Sequence, residues 1–101
     1  MEQIERIKTM EDILQEGKAA VAEFGDALEA FAAVQSKLQV LDAYYGSEDW
    51  LADFEADEAG KLPADLKRGV LSEDEAYDLL TDNRDLLVRM LEVASKMAAI
   101  I

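Results

Sequence analysis

From Glu2 to Tyr45 the chain carries no proline and no strand-like alternation, and only Gly17 and Gly25 interrupt its helix formers. Each glycine costs about 1 kcal/mol relative to alanine, which is too little to end a helix supported by its neighbours. Ile7, Leu14, Val21 and Leu28 repeat every seven residues; Met10, Phe24, Phe31, Leu38 and Tyr45 fill a second row, with Gly17 in the same register. Beyond Phe31 the partner row moves to Val34 and Leu41, while Gln35 and Asp42 fall on the old one. A drift of this kind belongs to a nearly straight helix of 3.6 residues per turn, so a bundle helix fits better than a supercoiled rod. Unbroken, it would span roughly 65 Å.

The rest of the chain is helical too. The 101 residues include 16 alanines, 13 leucines and 12 glutamates against a single proline, Pro63, a composition of strong helix formers. Gly46 is a natural helix stop and Ser47 a good N-cap for a short acidic helix, Glu48 to Ala59, ended by Gly60. A short turn begun by Pro63 and closed by Gly69 is expected next. Ser72-Glu73-Asp74-Glu75 then has the spacing of a capping box, opening a last helix that runs to about Ala99. The fold expected is all-α and a single domain over residues 1–101. A long N-terminal helix lies antiparallel to the C-terminal one, with the short helix and a loop at the corner.

That arrangement leaves a mismatch. About 16 residues of the first helix's apolar stripe have no partner on the shorter last helix. The short helix could cover them, the first helix could bend at Gly17 or Gly25, or a second chain could pack there. A homodimer is the favoured expectation, with Ile7, Leu14, Val21, Met97, Ile100 and Ile101 at its interface.

Composition narrows the function more by exclusion. Acidic residues number 23 and basic ones 10, for a net charge of -13. Such a surface repels nucleic-acid phosphates and anionic lipid, so neither is an expected partner. No cysteine and no histidine occur, which removes thiolate chemistry, the commonest general base and the commonest transition-metal ligand. No apolar stretch has the length of a secretory signal or a membrane span, so the expected location is the cytoplasm.

Candidate chemistry is sparse. The run Asp53-Phe54-Glu55-Ala56-Asp57-Glu58 has acids at alternate positions, as a calcium loop does. Glutamate stands at the sixth position, where such a loop needs glycine, and alanine (Ala64) at the twelfth, so a solvated acidic face is the better reading. Lys61, Lys67 and Arg68 interrupt two acidic segments and are expected to tie them together; an anion site is the alternative. Tyr44, Tyr45, Trp50 and Phe54 crowd the first corner, either as a small satellite core or as an interaction groove. No nucleophile–base pair and no phosphate-binding glycine loop is present.

Three pieces of the middle, Asp53 to Glu58, Gly60-Lys61-Leu62-Pro63 and Asp65 to Asp74, stand in an order too particular for helix propensity to produce. The stretch they form, Trp50 to Asp74, resembles a family of short bacterial proteins known as domain of unknown function 4298. About a quarter of the chain carries the resemblance, and the flanking segments match in length and character. It implies a stand-alone helical protein and supplies no reaction, cofactor or catalytic residue.

The expected function is therefore a non-enzymatic, self-associating interaction module, with no cofactor and no metal, whose acidic surface meets a basic protein. Trp50, Phe54, Lys61, Lys67 and Arg68 are the candidate contact residues. Two alternatives stand beside it. One is an acidic nucleic-acid mimic that binds a basic protein; the other is a small-ligand or divalent-metal site in the 48–72 segment.

Overall fold

A computed structural model of the chain describes residues 2–100. It contains three α-helices and one 3-10 turn, with no strand among the described residues: α1 (Gln3–Tyr44), α2 (Glu48–Glu58), η1 (Gly69–Leu71) and α3 (Glu75–Ile100). The all-α expectation holds. α1 runs unbroken through Gly17 and Gly25, and a Cβ built at either glycine meets nothing within 4 Å. Neither glycine is there to admit a close neighbour within the chain.

The chain divides into two compact units, one ending at Ser36 and one beginning at Lys37. The first is a single helix, in which every described residue from Glu2 to Ala30 is exposed. Ile4, Ile7, Met10, Ile13, Leu14, Val21, Phe24 and Leu28 all lie open on it.

The second unit is built around its turns. At the end of α1, the Tyr45 N–H donates to Leu41 O at 2.9 Å. Gly46 then turns the backbone with φ of +81°, a conformation that costs glycine little because it has no Cβ. Ser47 caps α2 as expected, its Oγ accepting the Trp50 N–H at 3.1 Å. Glu48 and Asp49 occupy the first turn, where the helix dipole favours negative charge.

α2 closes in a Schellman motif. Lys61 N–H donates to Ala56 O and Gly60 N–H to Asp57 O, each at 3.0 Å, with Gly60 at φ +70°. Two carbonyls that the helix would leave unpaired are thereby satisfied.

Between Gly60 and α3 the path differs from the single turn expected. Pro63 does open a turn, in which Leu66 N–H donates to Pro63 O at 3.2 Å. Gly69 does not close it; it begins η1. The reason lies in its carbonyl, which accepts both the Ser72 N–H at 3.1 Å and the Ser72 hydroxyl at 2.8 Å. Those two bonds wind the chain forward into the cap of α3. Ser72 Oγ also accepts the Glu75 N–H at 3.1 Å, so one serine oxygen bridges η1 and α3. Half of the capping box is made as expected, while the Ser72 N–H is spent on Gly69 and not on the Glu75 carboxylate.

Packing between elements centres on η1, which lies against both α2 and α3. Leu71 of η1 and Ala76 of α3 are the buried apolar residues among those described. The antiparallel pairing of the two long helices stays an inference from the sequence.

Candidate functional site

The corner of the second unit is where side chains converge. Trp50 is its hub. The indole stacks on Phe54, with centroids 5.3 Å apart and planes 20° from parallel. It also meets Tyr45 edge-on at 5.3 Å and 71°. Both are preferred aromatic geometries. Position explains them: Trp50 and Phe54 sit four residues apart on one face of α2, and Gly46 swings Tyr45 back towards that face.

Three hydrogen bonds fasten the cluster to the rest of the unit. Trp50 Nε1 donates to Val70 O at 3.0 Å, tying α2 to η1. The Tyr45 hydroxyl donates to Glu73 O at 3.0 Å, tying the end of α1 to the start of α3. The Tyr44 hydroxyl donates to Asp53 Oδ2 at 2.6 Å. This last bond pushes the Tyr44 pKa up to about 12; burial and the negative charges of Asp53 and Asp49 add to it. The sequence marked Tyr44, Tyr45, Trp50 and Phe54 as a cluster; Tyr45, Trp50 and Phe54 do meet ring to ring, and all four side chains are half-buried.

The three loop cations do different things. Arg68 is half-buried; its Nη1 lies 2.5 Å from Asp57 Oδ1, and its Nη2 reaches Ala64 O at 3.5 Å. It ties the loop to acidic α2, one of the two acidic segments that the three cations were expected to join. An anion site would need that guanidinium for its ligand, and here the charge is already matched by a carboxylate. Lys61 and Lys67 are exposed and form no ion pair among the described residues. No group of three or more acidic side chains close enough to share a metal occurs among the described residues.

The residues expected at an oligomer interface lie open. Ile7, Leu14 and Val21 on α1 and Met97 and Ile100 on α3 are all more than half exposed, and Ile101 lies outside the described residues. A shallow depression on α1 is lined by Ile13, Leu14, Gly17, Lys18, Val21 and Ala22. All six belong to one helix, so the feature is a dent in a surface, centred on the missing side chain of Gly17.

Among the features that escaped the sequence reading, two differ in the signal they left. Leu71, the buried residue of η1, follows Val70 as an apolar pair between Gly69 and the Ser72 cap, a pattern that could have marked a core anchor. The Tyr44–Asp53 bond left no such signal, because it joins two elements across a turn.

The family model of DUF4298, domain of unknown function, matches residues 7–93. The chain belongs to this family. The match takes in α2, η1, nearly all of α1 and most of α3, well beyond the central stretch that carried the resemblance. The Trp50 corner lies inside the residues that match DUF4298. No curated protein and no solved structure matches the chain. No helix is long and apolar enough to cross a membrane among the described residues.

Proposed function

We propose that this DUF4298 protein is a non-enzymatic helical interaction module that associates with itself through the apolar face of α1. One observation carries the reading. From Ile7 to Leu28 that face holds six large apolar side chains, Ile7, Met10, Leu14, Val21, Phe24 and Leu28, and all of them are exposed in the single chain. Proteins in water rarely leave an apolar strip of this length open. The free end of α3, with Met97 and Ile100 open, adds to the same demand. The acidic exterior, net charge -13, is the surface a basic protein would meet, in the cytoplasm. At the corner the aromatic rings and Arg68 are occupied in holding elements together, which supports a structural role for it over catalysis.

Sedimentation equilibrium over micromolar concentrations tests the reading. A dimer is expected. One chain per particle at high micromolar concentration would overturn it.

A further inference from the structure

We infer that α3 pairs with α3 of a second copy, antiparallel, with the two-fold axis beside Leu86. The inference rests on the self-association proposed above and adds a contact on a different helix.

Two adjoining rows on α3 carry it. Leu79, Leu86, Val93 and Ile100 stand seven residues apart, a spacing that drifts only about 20° per step and so keeps one face. Each is at least 41 % exposed. The other edge of this apolar stripe is already covered, since Ala76 is buried and Leu80, Asn83 and Met90 are half-buried. Four residues before each member of the open row comes a charge, in the order Glu75, Asp82, Arg89 and Lys96. Residues four apart are neighbours on a helix, so the charges border the open row along its length. All four are exposed, and none forms an ion pair among the described residues.

The order of signs decides the partner. Two acids are followed by two bases, so the row is its own complement when read backwards. In an antiparallel pair Glu75 meets Lys96 of the second copy and Asp82 meets Arg89, each twice. Charges bordering an apolar seam set orientation and partner choice between paired helices. The row's centre, midway between Asp82 and Arg89, lies within about one residue of Leu86. The apolar rows therefore align in the same register: Leu86 faces its own counterpart, and Leu79 faces Val93 twice. Ile100, the last residue of α3, is the one member that extends past the partner's helix.

Other arrangements fail on charge. A parallel pair sets each charge against its like. Sliding the antiparallel pair by one heptad brings Arg89 onto Arg89, or Asp82 onto Asp82. A uniformly basic partner would oppose Arg89 and Lys96, whereas a second copy matches all four charges. The row is also neutral in sum, in a chain of net charge -13, so two copies meet here without opposing acidic surfaces. Asp78, Asp85 and Glu92 stand about 100° round the helix from the apolar row, on the far side of the charged one.

Charge reversal in the full chain tests the pairing. Asp82→Arg sets arginine against Arg89 of the second copy, and Arg89→Asp sets aspartate against Asp82. Each should weaken self-association by about tenfold in sedimentation equilibrium. Asp82→Arg also makes the chain less negative, so relief of general repulsion would shift association the other way. An equimolar mixture of the two variants should associate at least as tightly as the native chain, because every facing pair is then opposite in sign. The absence of native cysteine gives a second readout. On mild oxidation Leu86→Cys should cross-link to its counterpart and Val93→Cys should not; a parallel pair would cross-link at both. Weakening without recovery in the mixture, or cross-linking at Val93, overturns the antiparallel register. Association that ignores both reversals overturns α3 as a contact and leaves the α1 reading standing. A single chain per particle overturns both readings.

Discussion

Trp50 shows how much one side chain can hold together when its atoms are used separately. Its ring supplies stacking area to Phe54 and an edge contact to Tyr45, while its N–H reaches Val70 O. Trp50→Phe keeps most of the stacking and loses the hydrogen bond, and should cost about 1 kcal/mol in denaturant unfolding. Trp50→Ala loses both, and about 2–4 kcal/mol is expected because the residue is only half-buried. Tyr44 offers a titration test. Its folded pKa, about 12, lies above the ordinary 10.0. A group whose folded pKa is raised stabilises the fold fully below its unfolded pKa and loses that contribution as pH climbs through the folded one. The stability gap between the native chain and Tyr44→Phe should thus be constant below pH 10 and close towards pH 12. Ultraviolet titration of the three tyrosines should lose its most alkaline component in the variant.

Among elements, what was legible in the sequence is what local chemistry decides. Gly46 and Gly60 stop helices because each takes a positive φ, and Ser47 and Ser72 start them because each oxygen meets a free N–H three residues on. These signals span at most a few residues, so the bounds of α1 and α2 were readable to within a residue. The η1 turn was not, since it arises from Ser72 bonding back to Gly69 twice, through its hydroxyl and its N–H. The pairs Tyr44–Asp53, Tyr45–Glu73 and Trp50–Val70 escaped for a related reason: they join different elements, and nothing in the local pattern selects the partner. The five glycines separate by the same logic. Gly25→Ala should raise thermal stability, by about 1 kcal/mol of helix propensity, because the site is helical and open. Gly60→Ala should lower it by about 1 kcal/mol, because a Cβ at φ +70° is strained.

For the molecule as a whole, the opposing forces are apolar cover and like charge. Two copies that meet bring together a net charge of -13 each, which outweighs the few attractive pairs along any one face. Added salt should therefore tighten self-association by screening the repulsion, and the melting temperature should rise with both salt and protein concentration. A chain held together chiefly by ion pairs would respond to salt with the opposite sign. The position of the sole tryptophan makes this separable by light. Its emission reports the corner alone and is blind to the helical stretch from Glu2 to Ala30, whereas far-ultraviolet dichroism weights every peptide. On dilution the dichroic midpoint should fall while the emission midpoint holds, so the chain carries its own optical gauge of which half lets go first.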